Sequence, residues 1–244
     1  MKLLQTNTEQ ELDDCLAQMT IAKLQQTIDE YGEAVWVLAG GNTPLSGYKL
    51  INTKFKTALD WHKVWFVIGD ERHVELNSDM SNWWSIEINL LQGLNFDSEK
   101  LIKPKFSDDL NVMRTDYEEA IGRLPEIRKG LPRFDVVWLG IGEDGHTLSL
   151  FNNADLDSDE LVVAVRNAPK DPSERISLTA AAFRQPSSVL VMASGASKAV
   201  VVRELIQGNS QLPIAEVVNI VEDNGGQVYL LSDKQALSFN KTSH

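Results

Sequence analysis

The chain alternates between stretches of helical and of strand periodicity. Leu12, Cys15, Leu16, Met19, Ile21, Leu24 and Ile28 recur at close to helical spacing, which predicts an amphipathic helix over residues 7–31. Thr8 with Glu11 three positions later makes a capping box at its start, and Gly32 suits its end. Residues 34–39 form an unbroken apolar run, predicted to be a buried strand, and lead directly into Gly40-Gly41-Asn42-Thr43-Pro44. There Pro44 suits the first position of a helix and Thr43 its N-cap. The pattern then repeats. A strand over 64–68 ends in Gly69-Asp70-Glu71-Arg72, and helical patterns follow at 81–91 and 108–124. A strand over 134–139 ends in Gly140-Ile141-Gly142-Glu143-Asp144-Gly145-His146, and strand-like runs occupy 161–165 and 176–180. A buried strand over 188–193 leads into Ser194-Gly195-Ala196-Ser197-Lys198 and a helix to about Gln207; a strand over 228–231 and a short closing helix complete the pattern. Strands alternating with helices predict an α/β fold with a mainly parallel sheet. With no Pro/Ser-rich linker, low-complexity tract or repeat, one domain over residues 1–244 is the simplest organisation.

Composition narrows the function classes. No apolar run approaches the roughly 20 residues of a membrane span, and the polar, acidic first twenty residues do not form a secretory signal. Cys15 is the single cysteine, so no intrachain disulfide can form, which fits a reducing, cytoplasmic setting. Four scattered histidines and one cysteine are poor material for a structural zinc site. A formal net charge of −12 argues against a nucleic-acid partner, whose phosphates need clustered Lys and Arg. An anionic small molecule would require this acidic chain to concentrate positive charge locally. The oligomeric state is left open.

In an open parallel sheet, ligands bind beyond the carboxyl ends of the strands, and several strand ends here carry unusual residues. Gly40-Gly41 before Thr43-Pro44 would present free N–H groups at a helix start, suited to phosphate; it could equally be a tight turn. Asp70, Glu71 and Arg72 place three charges at the end of a buried strand. Arg72 could hold a phosphate or carbonyl oxygen and Asp70 could orient a base, or the three could form a solvated turn. The run from Gly140 to Gly145 satisfies G-x-G-x-x-G, the dinucleotide fingerprint. Against that, the following strand ends in Arg166 rather than in the acid that would hold a ribose, and the run lies past the middle of the chain. Glycines around Asp144 and His146 read instead as a loop that lets a ligand approach, with His146 a candidate general base or a structural histidine. Lys198 stands at the start of a helix, where a cation is electrostatically misplaced unless an anion lies between, and Arg175 is a further candidate cation.

Gly40-Gly41-Asn42-Thr43-Pro44, Asp70-Glu71-Arg72 with Ser81-Asn82, Gly140 through Phe151, Ala168-Pro169-Lys170 through Arg175-Ile176-Ser177-Leu178-Thr179, and Gly195-Ala196-Ser197-Lys198-Ala199 together resemble the 6-phosphogluconolactonases, in the family's order. The Asp144-Gly145-His146-Thr147-Leu148-Ser149-Leu150-Phe151 run is the most specific, and with Arg72 it favours the lactonases over the related glucosamine-6-phosphate deaminases. Two positions depart from the family, which often has proline where this chain has Asn152 and Glu75. The resemblance implies a single Rossmann-like domain, no metal or other cofactor, and a phosphosugar lactone as partner. It makes His146 the catalytic histidine; a mechanism built on that would have Asp70 or Asp144 orient the imidazole and Arg72 or loop N–H groups face the developing oxyanion. Gly40, Gly41, Asn42, Thr43, Arg175 and Lys198 would contact the phosphate and substrate. The alternatives are a sugar-phosphate isomerase or deaminase, a non-catalytic sugar-phosphate-binding domain, and a nucleotide-dependent dehydrogenase.

Overall fold

A computed structural model describes residues 1–125, 130–152, 158–185, 188–208 and 211–238. In chain order the strands are β1 (Lys2–Thr6), β2 (Ala34–Leu38), β3 (Val64–Ile68), β4 (Asp70–Arg72), β5 (Leu101–Ile102), β6 (Val136–Gly140), β7 (Val162–Val165), β8 (Arg175–Leu178), β9 (Ser188–Ala193) and β10 (Gln227–Asp233). The helices described are α1 (Glu9–Tyr31), α2 (Leu45–Lys54), α3 (Asn82–Ile86), α4 (Leu110–Ile121), α5 (Ala199–Gln207) and α6 (Pro213–Asp223). Seven strands form one sheet in the order β1-β10-β9-β6-β2-β3-β5, and every pairing in it is parallel. A separate three-stranded sheet, β4-β8-β7, is antiparallel.

The central strands read as unbroken apolar runs because both faces of the large sheet are covered. Along β2, Val35 and Val37 join one core with α4, α5 and α6, while Trp36 and Leu38 join the other with α1 and α2. The second core is rich in aromatic rings. Trp138 stacks on Tyr48 at 4.8 Å and meets Trp36 edge-on at 5.0 Å. Its indole N–H donates to Thr20 Oγ1 (2.8 Å), so the buried donor is satisfied. Tyr48 in turn donates from its hydroxyl to Ala39 O (2.9 Å), tying α2 to the end of β2.

The α1 start behaves as its sequence predicts: the Thr8 hydroxyl accepts from Glu11 N, and Gly32 closes the helix at φ 87°. Other boundaries differ. Thr43 is not an N-cap. The helix begins at Leu45 with Pro44 before it and no side-chain cap, because Leu45 N turns back to Asn42 O (3.2 Å). The helical pattern at 81–91 is α3 followed by a π turn over Glu87–Leu91. The edge strands β1 and β5 have no counterpart in the apolar pattern; β1 is mostly exposed and β5 is two residues long. Helix α6 adds an element to the predicted set; Pro213 at its start and buried Ile214, Val217, Val218 and Val221 give it a helical signal. Residues 234–238 form a turn and an irregular end, so the expected closing helix is not seen there, and the chain beyond them lies outside the described residues. Asp159 and Glu160, before β7, are exposed. Among the described residues no helix is long and apolar enough to cross a membrane.

Candidate active site

Strand order locates the site. From β2 the chain proceeds outward through β3 to β5, whereas β6 and β9 lie on its other side. The β2/β6 boundary is therefore the point where connections diverge, and a crevice opens beyond the carboxyl ends of those strands. A cavity of about 370 Å³ lies there, lined by Gly40, Gly41, Asn42, Thr43, Asp70, Arg72, Asp144, His146, Arg175 and Lys198. Every residue singled out from the sequence is thus brought to one place. Asn82, Glu143, Thr147, Phe151, Lys170 and Asp171 line it too.

His146 sits on the loop after β6. Its Nδ1 lies 2.5 Å from Asp144 Oδ1, and its backbone N donates to the same oxygen (3.2 Å). Gly142 is glycine because any Cβ there would collide with His146 Nδ1 and with Asp144 Oδ1. The loop is closed by Gly142 N donating to His146 O (2.8 Å) and Thr147 Oγ1 donating to Gly140 O (2.8 Å). Gly145, at φ 81°, leaves room for Leu212, and Ile214 N at the start of α6 donates to Gly145 O (3.1 Å). Instead of opening a helix, the glycine run is followed by a bridge between Thr147 and Leu150. The dinucleotide fingerprint therefore lacks its helix. With Nδ1 held by a carboxylate, the ring takes the tautomer that leaves Nε2 as acceptor. Burial acts to raise the Asp144 carboxyl, but the hydrogen bond and charge of His146 outweigh it and leave Asp144 below its usual value.

Asp70 does not partner the imidazole. Its carboxylate accepts from Ser149 Oγ (2.6 Å), and it is almost fully buried. The chain reaches it by a kink at Gly69, whose N donates to Leu38 O (2.9 Å) while its O accepts from Leu178 N (2.9 Å). A Cβ at Gly69 would press on Leu148, itself a non-glycine residue at φ 55°. That kink transfers the strand from the large sheet to the small one, a turn the apolar pattern does not encode.

In the small sheet Arg72 and Arg175 are directly paired across β4 and β8. Like charges opposite one another are unfavourable unless an anion lies between them. Arg72 donates to Met80 O (2.7 Å), while its Nε is buried without a partner among the described residues. Arg175 holds the 168–175 loop by donating to Pro172 O (3.0 Å) and Lys170 O (2.8 Å), and lies over the Phe151 ring at 5.5 Å. Burial lowers its pKa; the Asp70 charge opposes that and the Arg72 charge adds to it. Lys198 occupies the N-cap position of α5, after a turn whose Gly195 N is held by Asp233 (3.2 Å). Its ammonium is also pushed down, mainly by burial.

Glu71 rules out a solvated turn at Asp70–Arg72: it lies in β4 and is completely buried. Its carboxylate accepts from Arg72 N (2.8 Å), Asn82 N (2.7 Å), Trp83 N (2.7 Å) and Ser81 Oγ (3.0 Å). Burial raises it overall despite these donors. Lys170 and Ser149 stand in the quoted motifs without a role of their own and Asp233 stands in none, since only their tertiary neighbours distinguish them. Among the described residues no group of His, Cys, Asp and Glu side chains is placed to hold a metal ion.

Residues 7–228 match the family described as glucosamine-6-phosphate isomerases/6-phosphogluconolactonase. The chain is 32% identical over 240 residues to probable 6-phosphogluconolactonase 1 of Arabidopsis thaliana, covering 93% of this chain and 87% of the relative. It is 30% identical over 207 residues to 6-phosphogluconolactonase of Mycobacterium leprae, covering 81% and 83%. The crystal structure of 6-phosphogluconolactonase from Thermotoga maritima superposes with a TM-score of 0.81 at 26% identity, covering 95% of this chain and 99% of the other. With a matched profile over most of its length and the same fold as a solved lactonase, the chain belongs to the glucosamine-6-phosphate isomerase/6-phosphogluconolactonase family.

Proposed function

We propose that this chain is one lactonase domain that hydrolyses 6-phospho-D-glucono-1,5-lactone to 6-phospho-D-gluconate in the oxidative pentose phosphate pathway. The observation that carries this reading is the His146–Asp144 pair, 2.5 Å apart, in a cavity that Arg72, Lys170, Arg175 and Lys198 also line. An acidic chain has gathered cations where an anionic ligand meets a base. The relatives' names support the lactonase activity, and a single cysteine fits a reducing, cytoplasmic setting.

In the proposed mechanism the phosphate rests against the Gly40–Thr43 turn with Lys198 and Arg175. The lactone carbonyl is then set beside His146. Asp144 stays ionised and holds Nδ1–H, so Nε2 accepts a proton from water as its oxygen bonds to the carbonyl carbon. Arg72 faces the oxyanion, an interaction typically worth about 3 kcal/mol per donor. The carbon–ring-oxygen bond breaks and the imidazolium returns its proton to the leaving oxygen. The carboxylic acid formed then ionises to solvent. The substrate is intrinsically labile, so positioning plus one base suffices.

A coupled assay on freshly generated lactone, corrected for spontaneous opening, tests the reading. His146→Ala should lower kcat by about 10²–10⁴-fold, and full turnover by that variant would remove the assignment. Ammonia release from glucosamine 6-phosphate, in place of lactone hydrolysis, would move the chain to the deaminase branch.

A further inference from the structure

The Gly40–Gly41 turn does not stand alone at the rim. The side-chain amide of Asn82 lies flat against Gly40, so close that a Cβ at that position would overlap Asn82 Cγ, Nδ2 and Oδ1. Asn82 Oδ1 accepts from Gly41 N (3.3 Å), and Asn82 Nδ2 donates to Asp70 O (2.8 Å). One amide therefore joins the end of β2 to the start of β4. Asn82 is itself immobilised. It is 2% exposed, and its backbone N donates to Glu71 Oε1 (2.7 Å). The Glu71 carboxylate also takes up the neighbouring donors Ser81 Oγ and Trp83 N. Beyond Asp70 the chain of bonds continues to Ser149 Oγ, on the same loop as His146.

We infer that Asn82, fixed by the buried Glu71 carboxylate, is a positioning residue that sets the Gly40–Gly41 turn for the substrate's phosphate. It acts through the turn, and it couples that turn to the Asp70–Arg72 strand. The inference rests on the reading that this turn grips phosphate. A short side-chain amide suits the task because it offers one donor and one acceptor in a fixed plane. Aspartate would lose the donor to Asp70 O, and alanine would lose both bonds.

The test measures KM and kcat for the phosphorylated lactone, together with the Ki of inorganic phosphate as competitor. In Asn82→Ala, KM and phosphate Ki should both rise about tenfold, in line with loss of one or two hydrogen bonds that order the turn. Turnover should stay within about threefold, since the His146 loop keeps its own bonds. A purely structural role would instead lower the melting temperature and kcat together, with no selective change in phosphate Ki. Gly40→Ala should show the same signature from the other side, because its methyl group displaces the Asn82 amide. Gly40→Ala/Asn82→Ala should be no worse than Asn82→Ala alone, because the methyl then fills the space the amide has left. If Asn82→Ala does not fold, Gly40→Ala carries the measurement.

Lys198→Ala separates the two levels of the claim. If it raises phosphate Ki while Asn82→Ala and Gly40→Ala leave Ki unchanged, the positioning role of Asn82 is overturned and the phosphate reading stands. Strictly additive losses in the double variant also overturn the role. If all these variants leave phosphate Ki unchanged, the phosphate reading itself fails.

Discussion

A methyl group on Gly142 would collide with His146 Nδ1 and Cε1 and with Asp144 Oδ1, although the backbone there has no positive φ and tolerates alanine. Gly142→Ala therefore separates the histidine–carboxylate geometry from backbone strain. It should lower kcat by at least about 10²-fold, as expected when a general base loses its orientation. The melting temperature should change little, because the Asp144 side chain is about half exposed. Near-normal turnover in this variant would mean that the 2.5 Å pair is not needed for the reaction. At the same scale, the two aspartates that the sequence left as equal candidates are separated by their partners. Asp144 holds the imidazole, whereas Asp70 accepts from Ser149 and anchors the strand that carries Arg72.

Helix α1 contains a carboxyl that opposes its own packing. Asp13 is 7% exposed, in a groove between α1 and α2 that Glu9, Asp14 and Lys49 also line. Burial first, and then the charges of Glu9 and Asp14, push its pKa up to about 6. A carboxyl that is harder to ionise in the folded chain makes the folded form the better proton binder. Stability contributed here therefore falls as pH rises from the ordinary carboxylate range through about 6, and the penalty is complete above that. It is worth at most about 3 kcal/mol at neutral pH. Asp13→Asn should raise the melting temperature by a few degrees at pH 7.5 and leave it nearly unchanged at pH 4. An equal effect at both values would assign the change to packing rather than to ionisation. Glu71 differs from Asp13 because four donors surround it and it caps α3, so its burial organises an element instead of straining one.

Across the whole molecule, the strands that deliver the site are contiguous: β9, β6, β2 and β3 stand side by side, and β1 is separated from them by β10. Edge strand β1 pairs with β10 over Lys2–Thr6 and is mostly exposed. Removing residues 1–6 should lower the melting temperature and expose the β10 edge to aggregation. KM and kcat of the folded fraction should remain within about twofold, because β10 stands between β1 and the strands that carry the cavity. A large change in KM would show that the outer strand shapes the crevice. The overall charge of −12 makes the same division visible, since it describes the surface while the cavity gathers Arg72, Lys170, Arg175 and Lys198.

Local order determined much of this. Buried parallel strands appear as unbroken apolar runs, α1 is bounded by Thr8 and Gly32, and glycines and charges cluster beside the strands, so the α/β class and part of the cavity lining, from Gly40–Thr43 to Asp70, Arg72, Asp144, His146, Arg175 and Lys198, are legible in the sequence. Tertiary structure decided which of those groups meet. The antiparallel sheet arises from a kink at Gly69, and the Arg72–Arg175 pairing joins positions distant along the chain. Asp144 rather than Asp70 became the partner of His146, and Asn82 was brought against Gly40. Periodicity reports what each segment buries. It carries no information about which buried donor finds which acceptor across the fold, and that choice sets the chemistry of the site.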